Sequence, residues 1–227
     1  MKKGYFTRLE KILWVLSVGV ILAAFFLFDR ENYLTLIASL IGVTSLIFNA
    51  KGNPFGQILM IVFSVLYGVI SYSFRYYGEM ITYLGMTLPM SVFALVAWLK
   101  NPYQGKKAEV AVNRIGGKEY IFAGILTLIV TIIFYWILKY FHTANLLPST
   151  ISVTTSFLAV YLTFRRSAYY AIAYAANDVI LIVLWALASR FDPSYLSVVA
   201  CFLAFLANDL YGFISWRMME KRQAAGE

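Results

Sequence analysis

Eight stretches of this chain are long enough and apolar enough to cross a lipid bilayer. Uncharged runs occupy residues 12–28, 33–50, 52–74, 80–99, 120–138 and 143–164. Two more, 167–189 and 193–216, are each broken by one acid, Asp178 and Asp209. A spanning helix needs about 20 mostly apolar residues. The eight runs take 166 of the 227 residues, so no amphipathic remainder exists to cover them as buried helices of a soluble protein. Composition agrees: 13% of residues are charged, where soluble domains carry roughly 25%. The aromatic content of 18% excludes a disordered chain. The expected fold class is all-α, a polytopic membrane protein with eight transmembrane helices. The first run follows a basic segment (Lys2, Lys3, Arg8, Lys11), as in a signal peptide. Its core is long and no small-residue cleavage site follows it, so it is expected to be retained.

The net charge of +8 raises the question of a nucleic-acid partner. Position answers it. With the N-terminus cytoplasmic and eight alternating crossings, fifteen of nineteen basic residues fall on the inner side. Arg30, Arg75, Lys139 and Arg190 fall outside. This is a positive-inside pattern, with both termini cytoplasmic. The positive charge faces an anionic leaflet, and no nucleic-acid partner is expected.

An internal repeat organises the spans. Sliding the chain by 118 aligns residues 40–98 with 158–216, with Leu40/Leu158, Val65/Val183, Tyr77/Tyr195 and Trp98/Trp216 among the identities and Tyr67/Trp185 as an aromatic match. Two parallel units of three helices need an odd crossing between them. The reading is 3+1+3: an N-terminal tail and extra helix at 1–31, a first repeat at 32–100, a loop and linker helix at 101–142, a second repeat at 143–217, and a tail at 218–227. Parallel repeats of this kind bind substrates near the midplane between them.

Polar residues at membrane depth need a reason, since a charge there costs roughly 2.5–3.5 kcal/mol on insertion scales. Asp178 lies at the middle of the seventh span, beside Asn177, and Trp185 follows two turns later on the same face. Asn208, Asp209 and Tyr211 form a second cluster in "LANDLYG" of the eighth span. In the fourth, Pro89 removes a backbone donor and crowds the carbonyl of Gly85, so a bend or hinge is expected near Tyr83 and Thr87. Gln57 and Tyr67 complete the candidate substrate-binding set. Each also has a plain structural reading, a bond between neighbouring helices. Thr154 and Thr155 are expected to bond their own backbone, and Trp14, Trp98, Trp136 and Trp216 to sit in interfacial belts. There is no Ser/His/Asp set, no metal-spaced His or Glu and no phosphate-binding glycine loop. No catalytic residue, metal or cofactor is therefore expected. With one cysteine, Cys201, a disulfide framework is excluded.

The run "GNPFGQILMIVFSVLYGVISYSFRYYGEMITYLGMTLPM" and the later "NDVILIVLWALASRFDPSYLSVVACFLAFLANDLYGFISW" resemble the PnuC family of nicotinamide riboside transporters over residues 30–222. The likeness rests on the succession of helices, the Tyr-Tyr-Gly-Glu-Met turn before the fourth span and the Asp-Val pair of the seventh. It implies a fold related to the SWEET sugar carriers and a homotrimer in the bacterial inner membrane. It further implies uptake by facilitated diffusion, with cytoplasmic phosphorylation trapping the substrate. Nicotinamide riboside has a flat cationic ring, an amide and a ribose. Trp185, Tyr67 or Tyr211 suit the ring, Asn177 and Asn208 the amide, and Asp178 the ribose or the charge. A mononucleotide's phosphate calls for a buried base, and no span contains one. Other vitamins or nucleosides (thiamine, riboflavin, deoxynucleosides) stay open on the same scaffold, as does an intramembrane enzyme using Asp178 and Asp209.

Overall fold

The computed structural model describes residues 5–73, 76–143 and 145–226. Lys2, Lys3 and Arg75, which entered the charge count, lie outside the described residues. Eight helical segments are long and apolar enough to span a membrane, in the positions the uncharged runs predict.

Helix α1 (Arg8–Phe28) opens with a capping box: the Thr7 hydroxyl accepts from the Glu10 amide at 3.2 Å and the Glu10 carboxylate accepts from the Thr7 amide at 2.6 Å. Helix α2 (Tyr33–Ala50) turns through Gly52 at φ +65° into α3 (Phe55–Ser73). The Asn53 side chain accepts from the Phe55 amide at 2.9 Å, which starts α3. The fourth span has three parts: α4 (Tyr77–Thr82), a π-helical turn (Tyr83–Thr87) and α5 (Leu88–Lys100). Helix α6 (Gly117–Tyr140) precedes α7 (Leu146–Phe164) and α8 (Tyr170–Ala188). A short 3-10 turn at Pro193–Tyr195, begun by the Asp192 carboxylate on the Ser194 amide, leads into α9 (Leu196–Ala224).

Pro89 explains the broken fourth span. It has no N–H to give the Gly85 carbonyl. The chain widens into a π turn just ahead of it, a known accommodation and a frequent mark of functional sites. The Tyr-Tyr-Gly-Glu-Met segment, expected as a turn, is helical from Tyr77 onward.

In lipid, apolar burial does not by itself drive helices together; close packing and polar bonds do. Gly56 shows how tight the packing is, since a Cβ there would lie 2.2 Å from the Asn49 side-chain oxygen. The Ser45 hydroxyl then reaches the Gly56 carbonyl at 3.1 Å and locks α2 to α3. Helices α2, α3, α7, α8 and α9 form the centre, with α1 against α2 and α9, and α6 against α7. The outer face of α6 presents Ile121, Phe122, Ile125 and Leu128, all exposed. That face suits acyl chains.

A two-stranded hairpin, β1 (Pro102–Tyr103) and β2 (Lys106–Val110), closes one end of the bundle and was not expected from the sequence. Gln104 at φ +48° and Gly105 at φ +74° make its turn; two successive positive φ values match strand twist. Helix α9 runs beyond the bundle to hold it. Gln223 accepts from the Val112 amide at 2.7 Å and donates to the Val110 carbonyl at 3.0 Å, while Arg222 pairs with Glu109.

Two tryptophans correct the belt expectation. Trp98 and Trp216 are fully buried, their rings 5.3 Å apart. Trp98 donates its indole N–H to the Thr163 carbonyl at 2.9 Å, and Trp216 donates to the Asn49 carbonyl at 2.7 Å. Both acceptors lie one residue inside a helix end, that of α7 and that of α2. Each tryptophan thus caps the first helix of the other half. Trp14 and Trp136 are exposed, as belt residues should be. The uniform shift of 118 does not hold for every helix boundary. Helices α2 and α7 end at positions 50 and 164, 114 apart, and α3 and α8 begin at 55 and 170, 115 apart. The connection after α7 is one residue longer than the one after α2, and the rest of the difference is taken up between α8 and α9, which are separated by more residues than α3 and α4.

Candidate functional site

A narrow cavity of ≈ 20 Å³ lies at mid-span between α2, α3, the π turn, α7, α8 and α9. It has room for about one water molecule. Leu46, Met60, Phe63, Phe202 and Phe205 form its apolar wall. Opposite stand Tyr83, Thr87, Ser156, Tyr174, Asn177, Asp178 and Asp209.

Helix periodicity puts the polar side chains there. Asp178 is the ninth of nineteen residues of α8, and Tyr174 lies one turn before it. From α9, Asp209 reaches the same cavity, so the two buried carboxyl groups share its lining. The second oxygen of Asp178 has no hydrogen-bond partner among the described residues, although it is buried. Asn177 is anchored instead. Its side-chain oxygen accepts from Ser152 at 3.3 Å, Thr155 at 2.9 Å and Ser156 at 3.0 Å, all on α7. Thr155 also bonds its own backbone, as expected, and so does Thr154.

Above the cavity, towards the end opposite the hairpin, aromatic rings close the bundle. Trp185 donates to the Tyr67 hydroxyl at 2.8 Å, and both are buried. Tyr67 packs on Tyr83 with centroids 4.3 Å apart, and Trp185 packs on Tyr76 at 4.9 Å and Tyr195 at 5.4 Å. Tyr76 lies outside the helices, and burial pushes its hydroxyl up to about 12. It therefore stands as a neutral donor at this end.

The structure thus brings Tyr83, Thr87, Asn177 and Asp178 to one cavity and sets Tyr67 and Trp185 over it. Pro89 follows at the start of α5. It does not bring Gln57, Asn208 or Tyr211 there. Gln57 donates to Asn49 at 2.9 Å, Asn208 donates to Ser17 at 2.8 Å, and Tyr211 donates to Glu10 at 2.9 Å beside Lys51. These three join neighbouring helices. Three other residues escaped the sequence reading. Tyr174 carried no signal beyond its spacing from Asp178. Glu10, near the hairpin end, has a capping-box spacing from Thr7 and a basic partner. Glu79 is buried in α4 with one oxygen unpartnered; it sits one residue before the uncharged run 80–99, so counting uncharged runs left it at the edge.

Eight helices of spanning length around a polar mid-span cavity, with aromatic rings over it, fit a membrane transporter. The chain belongs to the nicotinamide mononucleotide transporter family, whose profile matches residues 32–218. It is 25% identical over 228 residues to the nicotinamide riboside transporter PnuC of Neisseria mucosa, covering 97% of this chain and 85% of the relative. It is 21% identical over 197 residues to the PnuC of Haemophilus influenzae, covering 85% and 82%. The crystal structure of the vitamin B3 transporter PnuC superposes with a TM-score of 0.84 at 22% identity, covering 97% of this chain and 95% of that one. That likeness carries the fold.

Proposed function

We propose that this protein takes up nicotinamide riboside by facilitated diffusion with alternating access, as a carrier and not an enzyme. The observation that carries the substrate assignment is the charge of the cavity. Two carboxyl groups line it, and no Lys or Arg does among the described residues. A positively charged pyridinium ring is attracted there, and a mononucleotide's phosphate is repelled. The names of the relatives support the riboside.

At ≈ 20 Å³ the cavity is far smaller than a nucleoside. The described conformation is therefore too contracted to hold one. Loading requires the aromatic seal to part and α5 to swing at the π turn beside Pro89. The working reading is two parallel three-helix repeats joined by α6 and preceded by α1. The reciprocal capping by Trp98 and Trp216 supports it. The hairpin end is the cytoplasmic one, with both termini on that side. The functional unit is a homotrimer in the bacterial inner membrane, and phosphorylation inside the cell traps the substrate.

Tryptophan fluorescence of the purified protein tests the substrate. Nicotinamide riboside should quench it saturably, whereas nicotinamide mononucleotide, thiamine and riboflavin should do so at least tenfold more weakly. Equal response to the mononucleotide would overturn the assignment.

A further inference from the structure

Glu79 is a buried acid outside the cavity. It lies within the fourth span, 3% exposed, and makes no ion pair among the described residues. Its Oε2 has no hydrogen-bond partner among them. Ser71, fully buried on α3, likewise has a hydroxyl oxygen without a partner. Buried polar groups are paired as a rule, because an unmade bond is costly. These two unmade bonds lie at one level. Helix α3 runs away from the hairpin end, where the Gly52 carbonyl ahead of it accepts from the Val110 amide at 2.9 Å, and the fourth span runs back. Tyr67 of α3 and Tyr83 of the π turn pack with centroids 4.3 Å apart. Ser71 lies one helical turn beyond Tyr67, and Glu79 one turn beyond Tyr83, both away from the hairpin. Glu79 also extends the face of the fourth span that lines the cavity, since Tyr83 and Thr87 follow it at four-residue steps. A structural acid holds partners across a helix seam, as Glu10 holds Lys51 and Tyr211. Glu79 has no such partners.

We infer that Glu79 and Ser71 form an outer binding station for the cationic substrate, one helical turn beyond the Tyr67–Tyr83 contact. When the aromatic rings part, the Glu79 carboxylate attracts the pyridinium ring and Ser71 offers its hydroxyl to the polar groups of the ligand. The ligand then moves inward past Tyr83 to Asp178. An acid in a passage of low dielectric raises the local concentration of a cation and its rate of entry. No second ion is exchanged. The station speeds passage in both directions, and net flow follows the substrate gradient, as facilitated diffusion requires. The inference rests on the riboside reading and adds to it a charge-selective step ahead of the cavity.

Uptake into vesicles holding the purified protein tests it. The probes are labelled nicotinamide riboside and its dihydropyridine form, which keeps the amide and ribose and loses the charge. In Glu79→Gln, kcat/KM for the riboside should fall at least about tenfold, and that for the neutral form should stay within about twofold. Glu79→Asp should recover part of the riboside rate. The melting temperature of Glu79→Gln should hold or rise, because the buried carboxyl has no partner to lose. Equal loss for both probes, or loss for neither, overturns the station. So does a fall of several degrees in melting temperature, the mark of a structural acid. If Glu79→Gln does not fold, Glu79→Met, apolar and of similar length, carries the same comparison, and failure of both to fold makes Glu79 structural and overturns the station. Wild-type vesicles that take up no riboside overturn the riboside reading, and the station with it.

Discussion

The indole N–H of Trp185 and the hydroxyl of Tyr67 meet at 2.8 Å, across the bundle from α8 to α3. The two positions are also 118 apart, the shift that aligns the halves of the chain. Inside a bilayer neither group has water to turn to, so the bond is the natural partner for both. Both rings are buried, so the bond ties α8 to α3 near the end opposite the hairpin.

Tyr67→Phe removes the acceptor and leaves a buried N–H. The expected loss is about 1–3 kcal/mol, read as a fall of several degrees in thermal unfolding of the detergent-solubilised protein. Transport in vesicles should persist, because the seal is weakened and the cavity untouched. An unchanged melting point would mean the bond contributes nothing.

Asn177 gathers three hydroxyls of α7 onto one oxygen. Asn177→Ala leaves all three without that acceptor and should destabilise by about 2–4 kcal/mol, a sum over bonds of roughly 1 kcal/mol each. Asn177→Asp keeps the acceptor and should recover much of the loss in the same melting experiment.

Trp98→Phe and Trp216→Phe should behave alike, each costing about 0.5–1.5 kcal/mol for the lost carbonyl bond. Their rings are in contact, so the double variant should depart from the sum of the singles. Additive effects would argue against the two caps acting as one unit.

Gly42 lies under the cavity wall, and a Cβ there would come within 2.3 Å of the Phe205 ring. Gly42→Ala should push that ring into the cavity and weaken riboside binding at least tenfold with every polar group intact. Tyr211→Phe, remote and bonded to Glu10, should leave affinity within twofold. The reverse pattern in a fluorescence titration would relocate the site.

The spans were legible because a bilayer enforces length and apolarity residue by residue, and Asp178 was legible because a lone carboxyl at mid-span has few harmless explanations. The destinations of Gln57, Asn208 and Tyr211 were not. Each is a polar residue at a helix–helix seam, and spacing along one helix does not tell what the facing helix offers. Asp209 shows the same limit from the other side: only the packing of α8 on α9 reveals that it shares a cavity with Asp178. Trp98 and Trp216 depart from the belt pattern because a position near a span end does not imply exposure: their indoles serve the carbonyls of helix ends. Glu79 is not legible in the sequence because a charge at the start of a span resembles a boundary, although its side chain is buried.

The π turn at Tyr83–Thr87 has one more consequence. It holds about one residue more per turn than the α-helix around it, so it takes up an extra residue with little change of phase along the fourth span. Each residue of an α-helix advances about 100° around the axis, and each residue of the wider turn advances less. The five residues of the turn therefore carry the chain about as far round as four residues of an α-helix would. Glu79, Tyr83 and Thr87, all buried, keep to one face of the span despite the break ahead of Pro89.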